Sequence, residues 1–160
     1  MPIAVGDQIP DVEVRTLNGQ TPETVRTGEV LGQGKVVLFA VPGAFTPTCS
    51  DYHLPGFVVR ADDLRQKGVD TVACVAVNDA FVMGAWGKAQ KVDGKVVMLA
   101  DGNGDFTKAM GLDMDASAVG LGIRSQRYAA IIDNGTITSL LVEPGPGLDV
   151  SSVESVLRAL

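Results

Sequence analysis

Residues 36–49 have the sequence VVLFAVPGAFTPTC, in which an apolar run leads into a loop with two prolines and ends at a cysteine. A continuous apolar run of this length predicts a strand that is buried on both faces. Pro42 and Gly43 end the strand, and we expect a helix to begin near Thr48 or Cys49. The cysteine is therefore predicted to lie where a buried strand gives way to a helix.

Strands and helices alternate along the rest of the chain. The helix that begins near Cys49 is expected to run to about Lys67, with a kink or a division at Pro55. An Asn-Gly turn at Asn18 and Gly19 predicts a hairpin near the start of the chain. The later predicted elements are strands over 71–77, 96–100, 128–132 and 136–142, and helices over 79–91, 105–110 and 151–160.

This order predicts an α/β protein with a thioredoxin-like fold. The Asp133-Asn134-Gly135 turn predicts a second hairpin, between the strands at 128–132 and 136–142. Alternating strands and helices form parallel strand pairs, and the late hairpin adds antiparallel strands, so we expect a mixed β-sheet flanked by helices on both faces. The first hairpin is expected to be an N-terminal part of that fold. No repeat or low-complexity tract interrupts the sequence, and residues 1–160 are predicted to form a single domain.

Composition excludes several classes of protein. The chain of 160 residues carries a net charge of −6, which disfavours nucleic-acid binding. No apolar run approaches the ~18 residues of a membrane-spanning helix, and the first residues do not resemble a secretory signal. Two cysteines are too few for a disulfide scaffold or a four-cysteine zinc site. We therefore expect a cytoplasmic protein that binds neither nucleic acid nor membranes.

The loop before Cys49 favours a reactive thiol. At the start of a helix, unpaired backbone N–H groups and the positive end of the helix dipole stabilise a thiolate, which is the reactive form of cysteine. Thr46 can place its hydroxyl beside the sulfur and donate to a bound oxygen, while Pro42 and Pro47 stiffen the loop and limit solvent access. The alternative is an inert buried cysteine, which is common in protein cores.

The pattern Pro42-x-x-x-Thr46-x-x-Cys49 resembles the active-site motif of the peroxiredoxins, which are thiol peroxidases on a thioredoxin fold. The surrounding sequence is similar to the type II, or type 5, branch of that family. The segments that carry this similarity are FAVPGAFTPTC at 39–49, HLPGF at 53–57, VNDAFV at 77–82, AWG at 85–87, LAD at 99–101 and RSQRYA at 124–129.

The resemblance implies a thiol peroxidase that needs no metal or other cofactor. Its substrates would be hydrogen peroxide and alkyl hydroperoxides, and the Cys49 thiolate would attack the terminal oxygen and become a sulfenic acid. Thr46 and the Cys49 N–H would hold the peroxide oxygens, and Pro42 would complete the site. Arg127 matches the family's active-site arginine, with Arg124 as the alternative three residues earlier.

Cys74 has two interpretations. It lies in the middle of a predicted strand, where a cysteine is often an inert packing residue, but its distance from Cys49 along the chain resembles type II members whose second cysteine is a proposed resolving thiol. The resolving position of animal type 5 proteins corresponds here to Val150. We expect the Cα atoms of Cys49, at the start of a helix, and Cys74, in the middle of a strand, to lie more than ~7 Å apart. That distance precludes a disulfide between them without local unfolding. We therefore expect an external reductant, either glutathione with glutaredoxin or thioredoxin.

Other features leave alternatives open. His53 follows Cys49 by four residues, a spacing that also fits a Cys–His hydrolase, although no orienting Asn or Asp is evident. Phe45, Phe81 and Trp86 fit either the core or the interface of a homodimer, which the resemblance implies. A thioredoxin-like redox sensor or disulfide oxidoreductase is the alternative function, although the chain contains no Cys-x-x-Cys motif.

Overall fold

Strands of one mixed β-sheet form the centre of the molecule. The computed structural model describes residues 2–145 and 147–160, and within them seven strands lie in the order β2-β1-β5-β4-β3-β8-β9. A separate hairpin consists of β6 and β7. The strands are β1 (Glu13–Asn18), β2 (Thr21–Arg26), β3 (Lys35–Ala40), β4 (Thr71–Ala76), β5 (Val97–Ala100), β6 (Asp113–Asp115), β7 (Ile123–Ser125), β8 (Tyr128–Asp133) and β9 (Thr136–Val142).

Helices cover both faces of the sheet. One face packs against α2, α3, α4 and α6, and the other against α5 and the segment after α1. The helices are α1 (Thr27–Val30), α2 (Leu54–Val59), α3 (Ala61–Gln66), α4 (Ala80–Gln90), α5 (Asp105–Met110) and α6 (Val153–Ala159). None of the helices described is long and apolar enough to cross a membrane. The predicted thioredoxin-like α/β fold, with its mixed sheet and N-terminal hairpin, is confirmed.

Strand β3 is buried because it has neighbours on both edges and helices on both faces. It pairs in parallel with β4 and antiparallel with β8. Val37 and Phe39 enter one core cluster, and Val36 and Leu38 enter the other. The strand therefore delivers the loop at 42–48 to the carboxyl edge of the central sheet, which is a common location for binding sites in α/β proteins.

The helical segment after this loop is more divided than the sequence predicts. Helical backbone begins at Pro47, and a π-helical turn spans Cys49–His53 before α2 begins. Pro55 has no N–H to donate, and its ring crowds the preceding turn. The wider π-helical turn is favoured in this setting, and a hydrogen bond from the Leu54 N–H to the Cys49 carbonyl closes it. The break between α2 and α3 lies at Arg60 and not at Pro55.

Candidate active site

Cys49 is the first residue of the π-helical turn, and its thiol is free and fully buried. The preceding loop reaches the turn through a hydrogen bond from the Ser50 N–H to the Thr46 carbonyl, at 2.9 Å. Because Cys49 lies in the first turn of the helical segment, it is close to backbone N–H groups that have no partner within the helix. The structure thus places Cys49 as the sequence predicts.

Hydrogen bonds fix the loop that carries Pro42 and Thr46. The Ala44 N–H donates to Asn78 Oδ1 at the end of β4, at 2.9 Å, and Phe45 has a left-handed backbone with a φ of 64°. The Thr46 hydroxyl donates to the Gly43 carbonyl at 2.7 Å. Its hydrogen is therefore engaged, so Thr46 offers its oxygen to a bound peroxide as an acceptor and not as the donor expected from the sequence.

Arg127 joins the sheet to Cys49. It lies directly before β8, only 5% of its surface is exposed, and its Nη2 donates to Cys49 Sγ at 3.1 Å. Arg127 forms no salt bridge with any carboxylate in the described part of the chain, and its buried Nε–H has no partner there. A buried guanidinium without a carboxylate partner depends on its other hydrogen bonds, and Cys49 Sγ accepts one of them.

His53 orients this arginine. Arg127 Nη1 donates to His53 Nδ1 at 2.8 Å, and on the opposite side of the ring Nε2 lies 3.0 Å from the Ser151 carbonyl. These contacts define the tautomer, since Nε2 must carry the hydrogen and Nδ1 the lone pair. Burial, reinforced by the charge of Arg127, lowers the pKa of His53 to about 3. Both ring nitrogens are occupied, so His53 is not a general base for Cys49.

Glu143 holds the other end of this chain of hydrogen bonds, and the sequence offered no signal for it. Its Oε2 accepts from the Asp149 N–H at 2.8 Å, from the Ser151 N–H at 2.8 Å and from the Ser151 hydroxyl at 2.7 Å. Burial acts to raise the pKa of Glu143, but these hydrogen bonds together outweigh burial and lower it. The carboxylate thereby fixes the Ser151 carbonyl that binds His53.

Helix α4 contacts the Cys49 turn from the other side. Trp86 Nε1 donates to Ser50 Oγ at 3.0 Å, and Gln90 Nε2 donates to the Ser50 carbonyl at 3.1 Å. Trp86 is fully buried, which assigns it to the core, whereas Phe45 and Phe81 are 55% and 60% exposed. Of the three aromatic residues considered from the sequence, only Phe45 and Phe81 are therefore exposed enough to take part in an interface.

Arg124 contacts the same loop without reaching the sulfur. Its Nη1 donates to the Pro42 carbonyl at 3.2 Å and its Nε to the Leu121 carbonyl at 2.9 Å, whereas Cys49 Sγ accepts from Arg127. The geometry therefore favours Arg127 over Arg124 as the arginine that acts on Cys49.

Cys74 is buried in β4 between β3 and β5, on the sheet face that also packs against Cys49. The two cysteines are not joined by a disulfide. Burial, with a smaller contribution from Cys49, raises the pKa of the Cys74 thiol well above its ordinary value. Cys74 is therefore a protonated thiol, the poorly nucleophilic form of cysteine.

A mostly apolar cavity of about 520 Å³ opens beside Arg127. Pro42, Thr46 and Pro47 form one side, and the β6–β7 hairpin forms the opposite wall with Met114 and Leu121 among its side chains. The cavity thus connects the exterior with two of the residues predicted to act on a peroxide.

Comparison with known proteins assigns the chain to a family. The Redoxin family model matches residues 4–157. Peroxiredoxin-2E, chloroplastic, from Arabidopsis thaliana is 48% identical over 99% of this chain and 69% of its own length. The chain belongs to the peroxiredoxins. Reduced Prx3 in complex with H2O2 from Vibrio vulnificus is 52% identical with a TM-score of 0.93, covering 98% of each chain. Peroxiredoxin 5 from Alvinella pompejana is 39% identical with a TM-score of 0.87, over 99% of this chain and 97% of its own.

The predicted membership of the type II, or type 5, peroxiredoxins is thus confirmed, and the protein is a thiol-dependent peroxidase. The individual residue roles rest on the geometry of this peroxiredoxin. That geometry brings Cys49 and Arg127 into contact, places Pro42 and Thr46 beside them, and adds His53 and Glu143 as supporting residues.

Proposed function

We propose that Cys49 is the peroxidatic nucleophile and that it reduces hydrogen peroxide and alkyl hydroperoxides. The observation that carries this proposal is the hydrogen bond from the buried Arg127 guanidinium to Cys49 Sγ, in a setting where none of the described carboxylates pairs with the arginine. Guanidinium is always charged at neutral pH, so it presents a fixed positive charge to the proposed nucleophile. Prx3 from Vibrio vulnificus, similar to this chain, has been solved in complex with H2O2, which supports the same substrate here.

The reaction transfers one oxygen atom to sulfur. The Cys49 thiolate forms an S–O bond with the terminal oxygen of ROOH while the O–O bond breaks, giving Cys–SOH and RO⁻, which takes a proton from water and leaves as ROH. The sulfur loses two electrons and the peroxide gains them. The Nε–H of Arg127, which has no partner among the described residues, is a donor available to the oxygen on which charge develops, and stabilisation of that charge is usually the largest contribution to lowering the barrier.

An external thiol is the proposed reductant of the sulfenic acid. Cys74 is fully buried in the central sheet and protonated, so it is poorly suited to attack Cys49 without local unfolding. Glutathione with glutaredoxin, or thioredoxin, would instead reach Cys49 once the π-helical turn opens. The contacts of Trp86 and Gln90 with Ser50 are those that such an opening would break.

Cys74→Ser tests this proposal. Ser is close in size to Cys and fills the same space, and the proposed reaction does not use the Cys74 thiol. We therefore expect peroxide turnover to stay within about twofold of wild type, with either glutathione and glutaredoxin or thioredoxin as donor. Coupled steady-state assays with each donor measure the effect and also identify the better donor. Mass spectrometry that showed an obligatory Cys49–Cys74 disulfide during turnover, together with loss of activity in Cys74→Ser, would contradict direct reduction of the sulfenic acid by an external thiol, because the external donor would then reduce the disulfide instead.

A homodimer is proposed from the exposed aromatic residues beside the site. Phe45 and Phe81 are more than half exposed and follow the neighbouring strands β3 and β4, whose ends are joined by the Ala44–Asn78 hydrogen bond. Exposed large apolar side chains of this kind favour an interaction surface. Sedimentation velocity, which would detect a species of twice the chain mass, is the measurement that decides it.

A further inference from the structure

The β6–β7 hairpin, which is separate from the central sheet, forms one wall of the active-site cavity. Its two strands pair only with each other among the described residues, from Asp113 opposite Ser125 to Asp115 opposite Ile123. Met114 in β6, and Val119 and Leu121 in the connection to β7, line the cavity opposite the loop at 42–48. The position of this hairpin therefore sets the width of the cavity.

Arg124 ties the hairpin to that loop. From β7, its Nε donates to the Leu121 carbonyl at 2.9 Å and its Nη1 to the Pro42 carbonyl at 3.2 Å. Within residues 2–145 and 147–160, this is the one hydrogen bond that joins the hairpin at 113–125 to the loop at 42–48. One guanidinium thus holds both walls of the cavity.

The contact between Arg124 and the loop is close. A Cβ atom on Gly43 would lie 2.7 Å from Arg124 Nη1 and 3.2 Å from Thr46 Cγ2, so the guanidinium is seated directly against the Gly43 backbone. A longer residue at position 43 would push the arginine away from the loop. The absence of a side chain there allows the approach, which is a common use of glycine.

We infer that Arg124 is a positioning residue that determines the selectivity of the enzyme for hydroperoxides with an apolar tail over hydrogen peroxide. This inference rests on the proposed function. Both substrates use Cys49, Thr46 and Arg127, but hydrogen peroxide has no tail to contact the hairpin. An organic hydroperoxide gains binding energy by burying its hydrocarbon against Met114 and Leu121. This gain requires that the hairpin keep its present distance from the loop at 42–48.

Arg124→Met provides the test, because Met keeps much of the length of the side chain and removes its donors. The second-order rate constant of Cys49 oxidation is measured by stopped-flow competition with cumene hydroperoxide and with hydrogen peroxide. We expect the cumene-to-hydrogen-peroxide ratio to fall about tenfold, while the rate constant for hydrogen peroxide stays within about twofold. Arg124→Lys, which retains a donor for Pro42, should recover part of the ratio.

Arg158→Met is the matched control, since Arg158 is exposed on α6 and, among the described residues, its side chain donates a hydrogen bond only to Ser155. It should leave the ratio unchanged. An unchanged or raised ratio in Arg124→Met, or an equal fall for both substrates, would overturn the inference. Failure of wild type to react with either peroxide would instead overturn the proposed function, so the two failures are distinguishable.

Discussion

We expect the replacement of Cys49 by Ser to abolish peroxide reduction, with a loss of more than about 10³-fold, the range found when an enzyme loses its nucleophile. A serine hydroxyl beside Arg127 does not ionise at neutral pH, and its oxygen cannot accept the transferred oxygen atom as sulfur does. Ser and Cys differ little in size, and Cys49 is fully buried in a packed cluster, so the fold should persist.

The measurement is peroxide consumption in the presence of a thiol donor, with circular dichroism to verify folding. Cys74→Ser is a matched control, because it makes the same chemical change in the same buried cluster. Loss of activity in Cys49→Ser alone assigns the peroxidatic role to Cys49, and full activity in Cys49→Ser refutes it. Slow, stoichiometric oxidation of wild type without turnover would instead favour a redox sensor.

The parts of the fold that could be predicted are those with strong local signals. The apolar run of β3 and the Asp133-Asn134-Gly135 turn between β8 and β9 are examples, since each combines a strand pattern with residues that favour its end or turn. Asp79 is another, because the helix is predicted to start there and its carboxylate accepts from the Val82 N–H at 2.8 Å, which caps α4.

Elements that depend on tertiary contacts could not be predicted in this way. Strands β6 and β7 have three residues each, which is too short for a periodic pattern of apolar and polar side chains to identify a strand, so the hairpin that forms one wall of the cavity could not be predicted. The π-helical turn at Cys49–His53 is likewise set by its surroundings, including the contacts of Trp86 and Gln90 with Ser50.

The residues of the site likewise divide into those that local motifs predict and those that only tertiary contacts bring together. Pro42, Thr46 and Cys49 lie within eight residues of each other and form a motif, and Arg127 is found through a second motif. The link from Arg127 to His53 spans 74 residues and that from His53 to Ser151 spans 98. Such contacts arise from the order of strands in the sheet, which brings the residue before β8 beside the turn after β3.

Arg127→Gln is expected to slow Cys49 oxidation by about 10²–10³-fold, the cost typical of losing a donor aimed at developing negative charge. Gln removes the charge that faces Cys49 Sγ and cannot reproduce the contacts of both Nη atoms. Stopped-flow measurement of the rate constant for Cys49 oxidation by hydrogen peroxide, at one fixed pH, gives the size of the loss.

Arg124→Gln separates this role from a general effect of removing a positive charge. Arg124 lies three residues earlier and bonds to the Pro42 and Leu121 carbonyls, so its loss should leave the rate constant for hydrogen peroxide within about twofold of wild type. A rate constant that stayed at the wild-type value in Arg127→Gln but fell in Arg124→Gln would transfer the role to Arg124. The 3.1 Å contact between Arg127 Nη2 and Cys49 Sγ favours the loss in Arg127→Gln, because the charge nearest the sulfur interacts with it most strongly.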